Sequence, residues 1–271
     1  MEKLKQATET EESLSTAMAD DIISQLPIHI LHNILCSLSQ QEAVRTCLLS
    51  KQWRHIGSTR PNLKFSDKWF NNKQEKFVSV VDRALQRYRD QNLSLNKLHL
   101  YISSSNSRRV VSPLDKWIPV IAALNIKAFK LNFHSAYYDL PSTVFLVESL
   151  ERLHMWGYRV SSVESVRFKC LRKLTLIYVK VDDSTLETIT SGCPLLRSLV
   201  IESCWELRNV MLSEAALPEF KHFDLESYQW REKCSIVIHA LNVETICIKG
   251  PWIWSNCQST FLFSSHECES Q

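Results

Sequence analysis

The sequence contains little glycine and no long apolar run. Its 4 glycines in 271 residues form neither G-x-G-x-x-G nor G-x-x-x-x-G-K-[ST], which argues against a dinucleotide-binding domain or a P-loop enzyme. No apolar stretch approaches the roughly 18 residues that a membrane helix needs. The first residues also lack the apolar core of a signal peptide, so we predict neither a secretion signal nor a membrane partner.

Paired cysteines and an excess of charge are missing as well. The 9 cysteines include no C-x-x-C pair, and an odd number of cysteines without a secretion signal indicates reduced thiols. We therefore expect the protein in the nucleus, the cytoplasm or both. Lys and Arg exceed Asp and Glu by only 32 − 29 = 3, so we predict no general binding to nucleic acid.

Motifs for catalysis and for metal binding are also missing. The chain has no H-E-x-x-H and no G-x-S-x-G. Cys193 and Cys204 lie eleven residues apart, and His266 and Cys268 stand by themselves, so neither pair has the spacing of a tetrahedral zinc site. We predict no enzyme activity, no cofactor and no metal. A hydrolase that uses a chance Cys–His pair is kept as an alternative.

The residues that are present indicate a folded protein with distinct segments. Apolar residues make up 45% of the chain and aromatic residues 10%, as in globular proteins. Residues 1–19 are rich in Glu, Thr and Ser and predict a disordered tail. An amphipathic pattern predicts a helical linker over residues 67–92, and residues 251–271 predict an irregular C-terminal tail.

Residues 20–66 predict a unit of three short helices. In the first helix Ile30, Ile34 and Leu38 recur every four residues, and Gly57 is expected to end the third helix. Such a small unit carries more apolar surface than it can bury within itself. We therefore expect it to bind a partner through apolar residues.

Residues 93–250 contain a repeated pattern, apolar-x-x-apolar-x-apolar. The first members of seven matches are separated by 31, 24, 21, 25, 24 and 23 residues, and a period of 20–29 residues is typical of leucine-rich repeats. The seven matches are Leu95/Leu98/Leu100, Ile126/Phe129/Leu131, Leu150/Leu153/Met155, Leu171/Leu174/Leu176, Leu196/Leu199/Ile201, Phe220/Phe223/Leu225 and Val243/Ile246/Ile248.

Each repeat is expected to supply one short strand, and stacked neighbours bury the apolar side of that strand. A capped helix is predicted on the outer side of one repeat, from Asp182 to Ile189 and closed by Gly192. The predicted fold is α+β overall. It consists of a small all-α three-helix unit followed by an α/β solenoid of about seven repeats with one parallel strand per repeat.

The residues between the apolar positions of each strand should face the open concave side. The early strands carry basic residues and the later strands carry acidic residues, which predicts either a bipolar docking face or ordinary solvated side chains. The candidate substrate-binding residues on this face are Tyr101, Lys130, Arg152, His154, Trp156, Lys173, Glu202, Asp224 and Glu226.

The first unit resembles an F-box, and the two units together resemble plant F-box/leucine-rich-repeat proteins. Leu26-Pro27 followed by Ile30 and Ile34 looks like the start of an F-box, and residues 42–54 (EAVRTCLLSKQWR) are similar to the second half of plant-type F-boxes. Residues 192–201 (GCPLLRSLVI) resemble the repeats of the same family. The resemblance covers roughly residues 20–250.

This resemblance implies a substrate receptor of a ubiquitin ligase. In the family the F-box docks on a Skp-type adaptor, which connects it to the cullin and RING subunits, and the repeats hold a protein substrate. The receptor does no bond chemistry and acts by tethering. The alternative is a leucine-rich-repeat scaffold whose F-box is vestigial or independent of a ligase.

The resemblance also implies which residues contact the adaptor, although the same residues could form the internal core of the three-helix unit. His29 stands where many family members carry an acidic residue. The candidate adaptor-binding residues are Leu26, Pro27, Ile30, Ile34, Leu38, Leu49 and Trp53.

Overall fold

The protein divides into two compact units, residues 1–62 and residues 63–271, which we call unit 1 and unit 2 and describe separately. The structure is a computed structural model. It describes residues 23–38, 40–70, 73–103, 107–133, 138–161, 163–227, 234–240, 242–250 and 257–262. The predicted tail 1–19 lies outside this part of the chain.

Unit 1 is helical. After a 3₁₀ turn at Ile23–Gln25 it forms α1 (Ile28–Ser37), α2 (Gln40–Thr46) and α3 (Lys51–Ser58). One face of each helix is buried, because the helices are too short to be stable without packing against one another. The core of unit 1 consists of Leu31, Leu35, Ala43, Trp53 and Ile56.

The third helix begins where expected and ends later than expected. The Ser50 hydroxyl caps it by accepting a hydrogen bond from the Trp53 amide at 3.2 Å. The prediction that Gly57 ends this helix is wrong, because α3 continues to Ser58. Gly57 instead allows close packing, since a Cβ atom at this position would lie 2.4 Å from the Cys47 sulfur.

Unit 2 is built on an eight-stranded sheet in the order β1-β2-β3-β4-β5-β6-β8-β10. All seven predicted repeat strands are confirmed, and β1, which precedes them, was not predicted. The strands are β1 (Asn62–Ser66), β2 (Lys97–Ile102), β3 (Ala128–Phe133), β4 (Arg152–Trp156), β5 (Lys173–Ile177), β6 (Ser198–Glu202), β8 (His222–Glu226) and β10 (Thr245–Lys249).

From β2 to β10 the strands are parallel and equivalent positions of the repeats are paired. Leu98 lies beside Phe129, which lies beside Leu153, and this alignment continues without a shift to β10. Two rows of inward side chains therefore stack along the sheet. They are buried except at β10, where Ile246 is half-buried. The predicted all-α unit followed by a solenoid of parallel strands is thus the observed fold.

Two helices pack against the beginning of the solenoid. The predicted linker 67–92 contains a 3₁₀ turn at Asp67–Phe70 and helix α4 (Gln74–Asp90), and α5 (Ser107–Ala123) follows β2. Trp117 of α5 meets Phe77 of α4 edge to face, with ring centroids 6.2 Å apart. Both helices contribute to the continuous core of unit 2.

The outer side of the repeats varies along the solenoid. After β3 the chain forms a 3₁₀ turn at Ser142–Leu146. The predicted capped helix is confirmed as α6 (Asp183–Ser191), and the Thr185 amide donates a hydrogen bond to the Asp182 carboxylate at 2.7 Å. The last repeats instead form a second parallel sheet in the order β11-β9-β7. Its strands are β7 (Asn209–Ser213), β9 (Cys234–His239) and β11 (Cys257–Leu262).

The strand β11 differs from the irregular segment expected over residues 251–271, because Cys257–Leu262 pairs with β9. The sequence pattern that identifies the repeats describes only the concave strands, so it contains no signal for a second sheet. The remaining positions of this segment, 251–256 and 263–271, lie outside the described part of the chain.

The stacked inner rows predict where the stability of unit 2 comes from. Leu174→Ala removes a fully buried side chain from the middle of the sheet and should lower the free energy of unfolding by about 2–5 kcal/mol. Lys173→Ala, on the exposed side of the same strand, should change it by less than about 0.5 kcal/mol. Urea denaturation measures both variants, and equal losses would contradict the inner-row assignment.

Candidate functional site

Unit 1 exposes an unusual amount of apolar surface. Seven of the eleven exposed large hydrophobic side chains in the described residues belong to it, although it is the smaller unit. Leu48 is 78% exposed and Leu49 is 71% exposed. Exposed apolar side chains in this number on so small a unit favour a surface that another molecule covers. We call it the apolar surface of unit 1; its residues are Ile23, Leu26, Ile28, Ile30, Val44, Leu48 and Leu49.

The candidate adaptor residues separate into exposed and internal groups. Leu26, Pro27, Ile30 and Leu49 are exposed, and Leu26, Ile30 and Leu49 belong to the apolar surface of unit 1. Ile34 and Leu38 are half-buried and pack against the core. Whether these residues contact an adaptor stays a prediction.

Trp53 is the exception among the candidate adaptor residues. It was a candidate for the adaptor surface, with a place in the core as the open alternative, and its side chain is only 6% exposed and belongs to the core of unit 1. It lies on α3 three residues before Ile56, and residues spaced in this way share one face of a helix. A substitution of Trp53 would therefore affect adaptor binding through the packing of unit 1.

Sequence reasoning missed four residues of the apolar surface of unit 1. Val44 and Leu48 are spaced four apart, at α2 and just after it, and their side chains are exposed while Ala43 is buried. The signal was available, because a seven-residue helix with apolar residues on both faces cannot bury both in a unit this small. Ile23 and Ile28, close to Leu26-Pro27, are the other two.

The candidate substrate residues all lie on the side of the sheet opposite the two buried rows, which is the side predicted to be concave and which we call the concave face. Because the strands pair without a shift, their outward side chains form three rows. From β2 to β10, the first row is Lys97, Ala128, Arg152, Lys173, Ser198, His222 and Thr245. The second row is His99, Lys130, His154, Thr175, Val200, Asp224 and Cys247. The third row is Tyr101, Asn132, Trp156, Ile177, Glu202, Glu226 and Lys249.

Like charges cluster on this concave face. The basic group occupies β2 to β5, mainly in the first row, and the acidic group occupies β6 and β8, mainly in the third row. Thr175, Ile177 and Val200 lie between the two groups. We define the basic group as Lys97, Lys130, Arg152 and Lys173, and the acidic group as Glu202, Asp224 and Glu226.

Two histidines lie within the basic group. Burial, followed by the positive charge of Lys130, lowers the pKa of His99 to about 4, and the same two causes lower the pKa of His154 to about 4. Both imidazoles are therefore neutral at pH 7, and lysine and arginine carry the positive charge of the face. On the acidic side, burial followed by the charges of Glu226 and Asp224 raises the pKa of Glu202.

Aromatic side chains lie at the end of the strands. Trp156 meets Tyr178 edge to face with ring centroids 5.6 Å apart. Tyr178 follows β5 with a φ of 50°, and its equivalents Gly157 and Ser203 also have positive φ. The corner therefore repeats, but no sequence pattern marks Tyr178 as exposed on it. Tyr101, the other predicted aromatic anchor, lies 4.9 Å from the Lys68 ammonium.

Two observations concern metal binding and thiol chemistry among the residues that the structure describes. No group of three or more His, Cys, Asp or Glu side chains there could hold a metal ion. Burial raises the pKa of Cys193 and of Cys204 to about 12, so both thiols are protonated at neutral pH. Over the same residues, no helix combines the length and the apolar character needed to cross a bilayer.

Comparison with known proteins finds a family match in each of the two units. The family model of the F-box domain matches residues 23–65, and the family model "FBD-associated F-box protein At5g56370, LRR repeats" matches residues 114–260, which is more than half of the chain. The chain belongs to the plant F-box/LRR-repeat family. Proteins of this family are generally non-catalytic adaptors.

Curated relatives come from Arabidopsis thaliana. The chain is 28% identical to the F-box/LRR-repeat protein At3g03360 over 205 residues, which is 73% of this chain and 41% of that protein. It is 28% identical to the putative F-box protein At1g49610 over 83% of this chain and 56% of that protein. It is 30% identical to the putative F-box/LRR-repeat protein At3g18150, over 73% and 41% respectively. The chain thus spans about half the length of the relatives that it matches.

The neutral histidines of this F-box/LRR protein predict a pH-dependent stability. Because the pKa of His99 and of His154 is lower in the folded chain than in the unfolded chain, the unfolded chain binds more protons between pH 6.5 and about 4. The stability should therefore fall as the pH is lowered through this window. His99→Gln with His154→Gln should reduce the loss between pH 7 and pH 5.

Urea denaturation at pH 7, 6 and 5 measures this effect. His222→Gln is the matched control, because His222 is exposed in the first row of the same face. An unchanged pH dependence in the double variant would show that the two histidines do not resist protonation.

Proposed function

We propose that this protein is the substrate-recognition subunit of a Skp–cullin–F-box ubiquitin ligase. The F-box unit would bind a Skp-type adaptor, and through it the cullin and RING subunits, while the repeats would bind a protein substrate. The observation that carries this proposal is the apolar surface of unit 1, which lies within the F-box match. We place this activity in the nucleus or the cytoplasm.

The apolar surface of unit 1 has the chemistry of an obligate or long-lived contact. Burying one leucine completely is worth about 1.5–3 kcal/mol, and this surface offers seven large apolar side chains in about 30 residues. The core of unit 1 uses other residues, namely Leu31, Leu35, Ala43, Trp53 and Ile56. The surface can therefore be covered by an adaptor without opening the unit.

The mechanism that follows from this arrangement is tethering. A substrate held on the repeats and a ubiquitin-charged enzyme held through the adaptor become parts of one complex. The reaction between them is then governed by an effective concentration in the millimolar range for a short flexible connection, in place of the free concentrations of both proteins. No group of this chain needs to act as acid, base or nucleophile.

The test is adaptor binding by the full chain, and it generates a prediction for the exposed residues. Leu26→Ala with Pro27→Ala should weaken binding of a Skp-type adaptor at least tenfold, because both side chains are exposed beside the core of unit 1. Met211→Ala is the matched control, since Met211 is an exposed apolar residue of the repeats. Isothermal titration and pull-down measure the effect.

The outcomes of this test are distinct. Unchanged affinity in the double variant would refute the assignment of Leu26 and Pro27 to the adaptor surface. No binding by folded wild-type protein would refute the ligase function and favour a repeat scaffold with a ligase-independent F-box. Circular dichroism confirms that the proteins compared are folded.

A further inference from the structure

The seven charges of the basic and acidic groups contrast with other charges of unit 2. No side chain of the basic group or of the acidic group forms an ion pair with another residue that the structure describes. Outside the two groups, several charges of neighbouring repeats form ion pairs. Lys180 lies 2.7 Å from Glu206, and Lys127 lies 3.3 Å from Glu151. The repeat geometry therefore permits pairing between neighbours.

The clustering of like charges on this face is unfavourable for the free chain. Residues directly opposite on paired strands lie about 5 Å apart, and like charges at that distance repel. Arg152 pairs in register with Lys173, and Glu202 with Glu226. Burial is the first cause of the lowered pKa of His154 and of the raised pKa of Glu202, and the neighbouring like charges shift each pKa further in the same direction. A ligand with opposite charges in both places would relieve the repulsion on both sides.

The basic and acidic groups are separated along a diagonal of the concave face. Neighbouring strands lie about 4.8 Å apart and alternate residues rise about 6.6 Å along a strand, so the centres of the two groups lie about 15 Å apart across the strands and about 9 Å along them. The diagonal is about 18 Å, which five or six residues of extended chain span. Ile177 and Val200, together with Thr175, line this path.

We propose that the concave face binds an extended protein segment of bipolar charge, with carboxylates on the basic group, an apolar residue in the middle and cations on the acidic group. This inference rests on the proposed function, because it describes the substrate of the same receptor. Nucleic acid fits less well, since Glu202, Asp224 and Glu226 would repel a phosphate backbone along the second half of the path. Lys249 lies beyond the acidic group, paired in register with Glu226.

The probe is a synthetic nine-residue peptide with three glutamates, a Ser-Leu-Ser centre and three lysines. Its charged groups are six residues apart, about 20 Å when extended. The matched control peptide has the same composition with glutamate and lysine alternating. Fluorescence anisotropy with the full chain should show at least tenfold tighter binding of the bipolar peptide, and raising the salt concentration should weaken that binding.

Charge reversals on the protein locate the site. Lys130→Glu and Asp224→Lys should each weaken binding of the bipolar peptide at least tenfold, because each reverses one charge within one of the two groups. Lys169→Glu is the matched control, since it makes the same charge reversal outside the concave face. Lys169 lies 2.8 Å from Glu148. It should leave the affinity within a factor of two.

Three results would overturn the proposal. They are equal affinity for the two peptides, equal effects of Lys130→Glu and Lys169→Glu, and tighter binding of a nine-nucleotide single-stranded DNA than of the bipolar peptide. Adaptor binding is measured on the same samples. Loss of peptide selectivity with intact adaptor binding refutes the bipolar segment alone, whereas selective peptide binding without adaptor binding refutes the ligase function alone.

Discussion

Each repeat of unit 2 depends on its neighbours, because a strand of five residues leaves its backbone and its apolar side uncovered when it is alone. Pairing in register solves both problems, since the parallel ladder satisfies the backbone and stacks the inward side chains into continuous rows. A shift of one residue between two repeats would turn the buried row of Leu153 and Leu174 toward solvent. The constant register is therefore the condition on which the remaining architecture depends.

The same register determines the chemistry of the opposite side. Once the inward residues are aligned, the outward residues of neighbouring repeats are aligned as well, at about 4.8 Å from strand to strand. Charges that are scattered in the sequence, such as Lys130 and Lys173, are thereby collected on one face. The fold imposes this proximity, whereas the sign of each charge is free to vary. A recognition surface can thus change its charges without changing its core.

The repeats were predictable from sequence because their signal is periodic and their function in the core is uniform. The pattern located all seven concave strands, and the cap signals at Asp182 and Gly192 located α6. It did not locate the sheet of β7, β9 and β11, because the outer segments share no common pattern. A periodic pattern predicts the strand that all repeats share, and it contains little information on structure that only some repeats form.

For the candidate functional residues, the sequence predicted positions on the concave strands but not the contacts of individual side chains. The register brings together every concave residue expected from the pattern, but it cannot show which charges find partners. Tyr178 was missed because its position depends on a left-handed corner, which elsewhere uses Gly157. The sequence left Trp53 open between core and interface, because a large apolar residue on a short helix suits either until the helices are assembled. These choices are made by tertiary packing.

On the proposed function, the two units recognise their partners by different physics. The apolar surface of unit 1 loses water on binding, and this contribution is only weakly sensitive to pH and to moderate salt. The concave face of unit 2 binds through charge, which salt screens over about 8 Å at physiological ionic strength. Assembly of the ligase can then remain constant while substrate capture responds to the charge of the substrate. Any modification that adds or removes charge on that substrate would act on capture without affecting assembly.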